Sequence, residues 1–112
     1  MQIIYKIVPA ALWSEAITSG VFRGSPVDVA DGFIHFSTAE QVHETAARHF
    51  TGVAELLLVA FPASAFGDAL KWEPSRRGAL FPHLYEPLPV SLASWVKPLP
   101  LDADGRPLVP PL

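Results

Sequence analysis

The chain has 112 residues, of which 50% are hydrophobic and 17% charged, with a net charge of −3. That is enough apolar chain for one modest core in a single domain, and it excludes disorder for most of the length. The lack of cysteine excludes disulfides, zinc–thiolate sites and a cysteine nucleophile, and the acidic balance argues against a broad basic face for duplex nucleic acid.

Ile3-Ile4-Tyr5-Lys6-Ile7-Val8 is β-branched and aromatic, which predicts a strand over 3–8. No basic leader precedes it, so no secretory signal is expected. Pro9 suits the first turn of a helix, and Leu12, Trp13, Ala16 and Ile17 recur at helical spacing over 10–19. Gly20 is placed to end that helix in a left-handed conformation. Val21-Phe22 reads as a short extended piece, and Gly24 to Gly32 as a loop.

Residues 33–37, Phe-Ile-His-Phe-Ser, alternate little and predict a second strand covered on both faces. Ser37-x-x-Glu40 and Thr38-x-x-Gln41 both match a capping box, so a helix is expected over 38–50 with Val42, Ala46 and Phe50 facing the sheet. Strands follow at 55–61, 70–73, 79–85 and 92–96, with turns between them. The longest uncharged run, residues 56–67, is broken by Pro62 and Gly67 and falls short of the ~20 residues of a membrane span. A cytoplasmic protein without a membrane partner is expected. Proline is about twice as frequent as usual, and its concentration after residue 86 predicts an extended Pro-rich tail from about 98. Early helices and late strands predict one α+β domain over 1–112, with two helices and a mostly antiparallel or mixed sheet of five or six strands.

Dinucleotide, Walker, zinc-protease and nucleophile-elbow motifs are missing. The four histidines are too dispersed for a metal-ligand spacing, so no metal site is expected. His43 and His49 lie six apart on one predicted helix, about 600° of turn, and cannot share a ligand. Trp13, Trp72 and Trp95 are better read as packing residues than as a flat-ligand pocket.

Two segments combine apolar surroundings with polar chemistry. In Asp31–Thr38, His35 sits inside an apolar strand run, and Ser37 and Thr38 stand at a predicted helix start where free N–H groups favour an anion. In Lys71–Glu86, Glu73, Ser75, Arg76, Arg77, His83 and Tyr85 are broken up by Pro74, Gly78 and Pro82. Acid, hydroxyl, guanidinium, imidazole and phenol there fall within fifteen residues. Arg76 and Arg77 supply planar donors for phosphate or carboxylate, and an imidazole can move protons at neutral pH. A satisfied core histidine, an ordinary cap and a surface ion pair are the plain alternatives.

Ile4-Tyr5-Lys6-Ile7, Trp13, Gly20, Ser25-x-x-Asp28-x-x-Asp31-Gly32-Phe33-Ile34-His35-x-Ser37, Trp72-Glu73-x-Ser75-Arg76 and Phe81-Pro82-His83-Leu84-Tyr85 together resemble the domain-of-unknown-function 952 family over nearly the whole chain. Phe36 replaces that family's Leu and Arg77 its Gly, which makes Arg76 the better ligand residue of the pair. The family is similar in turn to ADP-ribosyltransferases, above all the tRNA 2′-phosphotransferase branch, through Tyr5, Trp13, Gly20 and His35-Phe36-Ser37. That likeness implies an ADP-ribosyltransferase-like fold and a nucleotide or ADP-ribose-type ligand. It also implies, for any catalysis, a transferase of the ADP-ribosyl or 2′-phosphotransferase type. Lys6-Ile7 stands where the superfamily carries His-Gly. Lysine can pair with a phosphate but does not reproduce the imidazole's bonding, and Ile7 blocks the close approach glycine allows, so NAD is not a secure cofactor.

The expected site has His35, Glu73 and His83 as catalytic groups, and Lys6, Ser37, Thr38, Ser75, Arg76 and Tyr85 as ligand-binding groups for a small anion or nucleotide. A non-catalytic binding module, and an interaction protein with a structural polar cluster, are the two other readings. A shared cleft holding His35, Ser37, Arg76 and His83 separates the first two readings from the third.

Overall fold

In the computed structural model, which describes residues 2–75 and 78–112, the central layer is an antiparallel sheet of three strands. Its strands are β1 (Ile3–Pro9), β4 (Leu56–Pro62) and β8 (Trp95–Leu99), in the order β1-β4-β8. Alternation along β1 and β4 sorts the core into two clusters. Ile4, Val8, Val59 and Phe61 face one side, with Trp13, Phe22, Phe36 and Phe66. Tyr5, Ile7, Leu58 and Ala60 face the other, where Val42 and Ala46 of α3 (Val42–Phe50) cover them. Both faces being buried explains why neither strand shows polar alternation.

Helix α1 (Ala10–Ser19) starts directly after Pro9 and ends at Gly20 with φ 90°, as the sequence predicts. A second antiparallel sheet has the order β3-β6-β5, from β3 (Ile34–His35), β6 (Leu80–Leu84) and β5 (Leu70–Pro74). The pair β2 (Val21–Phe22) and β7 (Leu88–Pro89) completes the strands. Ser37 joins the two larger sheets, because its N–H and carbonyl exchange bonds of 2.9 and 2.8 Å with Tyr5. Every strand pairing among the described residues is antiparallel, and the class is α+β.

Several boundaries differ from expectation. The predicted 24–32 loop contains α2 (Pro26–Asp31), closed by a capping box between Ser25 and Asp28 and ended by Gly32 at φ 87°. A six-residue helix is too short to show helical periodicity, so only its caps could have revealed it. Among the described residues α-helices therefore number three rather than two, and the dipeptide strands β2 and β7 raise the strands to eight.

The helix expected from 38 begins at Val42. A turn precedes it, in which the N–H groups of Gln41 and Val42 both reach the Thr38 carbonyl. Gln41 does reach back to the Thr38 N–H at 3.0 Å, but its amide also donates to the Leu80 carbonyl at 2.7 Å, tying the turn to β6. The last strand is Trp95–Leu99 rather than 92–96, because Val90–Leu92 forms a 3-10 turn. After Leu99 the chain turns at Asp102–Gly105, bridges Leu101 to Pro107 and packs Val109 on the second cluster. Among the described residues no helix is long and apolar enough to cross a membrane.

Candidate functional site

Strand parity builds the site. On β3, β6 and β5 the residues Ile34, Pro82, Leu84 and Leu70 face the core, so His35, Phe81, His83 and Glu73 face the opposite way. His35 and His83 are direct cross-strand partners, with ring centroids 5.4 Å apart. Phe33 and Tyr85 continue the same parity one step further. Phe33 stacks on His83 at 4.0 Å and 27°, and lies 4.6 Å from His35 and 5.3 Å from Tyr85.

Glu73 holds two partners on one oxygen. Its Oε1 accepts from the Tyr85 hydroxyl at 2.7 Å and lies 2.8 Å from His83 Nδ1. The Tyr85 bond first, then the His83 bond, hold the Glu73 carboxyl below its ordinary range, while the same contact pushes the Tyr85 phenol up. An ionised carboxylate only accepts, so the proton of a neutral His83 ring sits on Nδ1 and Nε2 carries the lone pair.

Asp28 organises the other half. It is 1% exposed and sits on α2, whose capping box aims its carboxylate inward. Oδ2 accepts from the Ser25 N–H at 2.8 Å and the Ser25 hydroxyl at 3.0 Å. Oδ1 accepts from the His35 N–H at 3.1 Å and from His35 Nδ1 at 2.6 Å. Lys6 Nζ lies 3.0 Å from Oδ2 and donates to the His35 carbonyl at 2.9 Å. Burial alone would raise the Asp28 carboxyl. The His35 bond, the Lys6 charge and the backbone donors outweigh burial and hold it well below the ordinary carboxylate range. Burial works to lower the Lys6 pKa, and Asp28 works against it.

His35 Nε2 faces Asp31 Oδ2 at 2.9 Å, so both ring nitrogens of His35 meet carboxylates. The His35 side chain is 33% exposed and that of His83 only 7%, the reverse of what the two sequence contexts suggest.

These groups border one cleft of about 460 Å³ along the open edge of β1, just past the Tyr5–Ser37 bridge. Of the residues singled out from sequence, Lys6, His35, Ser37, Ser75 and His83 line it. Glu73 and Tyr85 stand behind His83 and reach the cleft through its ring. Thr38 is buried outside the lining. Arg76 and Arg77 lie outside the described residues.

The expected anion site at a helix start is corrected: the Ser37 N–H is taken by Tyr5, the Thr38 N–H by Gln41, and the helix begins four residues later. The Ser37 hydroxyl instead meets that of Thr45 at 3.0 Å. Asp28 was the functional residue hardest to pick out. Its signal was the Ser25-x-x-Asp28 capping pattern inside a stretch that reads as loop. Ile7, Phe50 and Phe81 give the cleft its apolar walls.

The chain is similar to protein CC0527 from Caulobacter crescentus. The crystal structure of that protein is 55% identical with a TM-score of 0.92, covering 95% of this chain and 93% of that one. A double methionine mutant gives the same TM-score and coverage at 54% identity, and the solution NMR structure gives 0.86 at 55% over 96% and 92%. Among curated proteins none matches. The family described as "Protein of unknown function (DUF952)" matches residues 7–96, and the chain belongs to it.

Proposed function

We propose that the cleft beside β1 binds a small anionic ligand of the nucleotide or ADP-ribose type, with the Glu73–His83 pair as its acid–base group. The observation that carries this reading is the convergence of His35 and His83, 5.4 Å apart, on one cleft with apolar walls. A volume of about 460 Å³ fits a small organic ligand. Phe50, Phe81 and Ile7 suit a flat base, while the Ser37 and Ser75 hydroxyls suit sugar or phosphate oxygens. Arg76 follows Ser75 directly in the chain and brings a guanidinium to the same segment. The likeness to ADP-ribosyltransferases supports the ligand class.

His83 is the ring that can exchange a proton with a ligand. Glu73 fixes its tautomer and would steady the imidazolium once formed. His35 has both nitrogens on carboxylates, which suits a wall that positions Asp28 and Lys6. This saturation of His35 also favours a second reading, a binding module without catalysis. Product formation from a labelled dinucleotide separates the two.

Binding itself is tested by a thermal-shift titration with ADP-ribose, NAD, AMP and phosphate. Ligand at about 100 times its Kd adds ~2.7 kcal/mol, which moves the melting point of a domain this small by about 10 °C or more. Arg76→Ala should remove most of the effect and Arg106→Ala should not. No shift with any of the four at millimolar concentration overturns the nucleotide reading and leaves a structural polar cluster.

A further inference from the structure

On the far side of α2 lies a second cleft, of about 280 Å³, between the α2–β3 turn and the β6–β7 turn. Val29 and Pro87 contribute exposed apolar surface, Phe33 and Tyr85 line it as rings, and the buried Ile34 and Leu84 lie beneath them. Arg23 and Glu86 stand on its border, both exposed. Neither makes a hydrogen bond or ion pair through its side chain among the described residues, including with the other. A cation and an anion held apart on the rim of one apolar hollow are complementary to a molecule with both charges and an apolar body.

We propose that this second cleft binds a small zwitterion with an apolar side chain, a free apolar α-amino acid being the simplest member of that class. Its carboxylate meets Arg23, its ammonium meets Glu86, and its side chain lies against Phe33 and Tyr85. The ligand assigned here does not rest on the nucleotide reading of the larger cleft; only its influence on His83 as a proton carrier rests on that reading, and any such coupling is mutual. Occupancy is nevertheless felt there by two routes. Phe33 stacks directly on His83, and the Tyr85 hydroxyl holds the Glu73 oxygen that engages His83 Nδ1. Asp28 borders both hollows and carries His35 and Lys6. The second cleft is thereby a control site for the proton-carrying histidine.

The probes are L-phenylalanine, 3-phenylpropanoate, which lacks the ammonium, and phenethylamine, which lacks the carboxylate. They are titrated into the full chain and followed by amide and histidine-ring NMR. The expected result is saturable movement of the Gly32, Phe33 and Tyr85 amides and of the His83 ring with L-phenylalanine. Arg23→Gln and Glu86→Gln should each weaken it by about tenfold, the scale of one lost charge-assisted bond. Both residues are exposed, so these variants should melt with the parent protein. Tyr85→Phe keeps the ring, so binding should persist while the His83 response shrinks. If L-phenylalanine moves none of these resonances, or moves them equally in Arg23→Gln, the site is refuted. If 3-phenylpropanoate binds as tightly as the amino acid, the zwitterion assignment is refuted. Neither result bears on nucleotide binding in the larger cleft, so the two proposals fail separately.

Discussion

Glu73 and His83 meet across β5 and β6 with 2.8 Å between Oε1 and Nδ1, and the same Glu73 oxygen takes the hydroxyl of Tyr85. Glu73 on β5, His83 on β6 and Tyr85 just beyond the end of β6 thus make one relay. It exists because His83 and Tyr85 lie two residues apart, and the pairing of β5 with β6 sets Glu73 opposite Phe81, diagonal to His83.

Removing one donor from that relay should be visible at its acid. In Tyr85→Phe the Glu73 carboxyl loses the larger of the two bonds that hold it low, so its pKa should rise toward the ordinary glutamate value. Carboxyl NMR across a pH titration reads this directly. An unchanged Glu73 titration would mean that the hydroxyl does not engage the carboxylate in solution.

Asp28→Asn should be among the most damaging single changes. It leaves Lys6, 7% exposed, without its counter-charge and deprives His35 Nδ1 of its carboxylate, leaving only Asp31 at Nε2. Breaking one side of a buried pair costs about 3–5 kcal/mol. Urea unfolding measures it, and a loss below about 1 kcal/mol would place the network in water rather than in the core. Adding Lys6→Met should restore much of the loss, because the orphaned charge goes with it.

How much of this was legible beforehand follows from length scale. Ile3–Val8, the α1 helix with its Gly20 stop, and residues 55–61 are long runs whose pattern agrees with their burial, so sequence placed them within a residue or so. Elements such as α2 and β7 are set by tertiary pairing and capping, and two residues carry no period to read; Val21-Phe22 reads as extended, but its pairing with β7 does not follow from sequence. The site divided in the same way. His35 stands out as a polar residue inside an apolar strand and His83 as part of a polar cluster broken by prolines and glycine, and their pairing follows once β3 and β6 are neighbours. Asp28 owes its role to burial against Lys6, 22 residues earlier in sequence, and the Ser25-x-x-Asp28 pattern reports a helix start but not that pairing. At Ser37 the expected cap loses to a tertiary bond, since Tyr5 takes its N–H, while Thr38 keeps the Gln41 half of its box ahead of a turn rather than a helix.

Asp28 also shapes the acid limb of stability. Its folded pKa lies below the unfolded value of roughly 3.9. The stability it adds is therefore fully present above that unfolded value and is lost as pH falls through the depressed folded one. Unfolding free energy should be flat in this contribution from pH 5 to 7, taken as an order-of-magnitude window, and should fall on further acidification. Asp28→Asn should have a shallower acid limb than the parent. Parallel acid limbs for the two proteins would assign acid unfolding to other carboxylates.

Phe50→Ala should cost less than a core deletion. Phe50 is only half-buried, packs at the edge of the second cluster and also lines the cleft. Fully buried Phe61 should lose the ~3–5 kcal/mol typical of Phe→Ala, and Phe50 clearly less. Paired denaturation curves decide it. Equal losses at 50 and 61 would mean that α3 seats Phe50 deeper than its exposure indicates.

The proton position on His83 is the sharpest test of the acid–base assignment. With Glu73 ionised and bonded to Nδ1, the neutral ring must carry its hydrogen there, which leaves Nε2 as the acceptor for a ligand proton. Ring ¹⁵N shifts should therefore show a protonated Nδ1 and an unprotonated Nε2 in the neutral form. Glu73→Gln replaces an obligate acceptor with an amide that can present either oxygen or NH₂, so the tautomer preference should weaken. The same substitution should leave His35 unaltered, because Asp28 fixes that ring from another element. A neutral His83 protonated on Nε2 in the parent protein would remove the lone pair from the ligand side. The relay would then be a structural clasp between β5 and β6, with no part in moving protons.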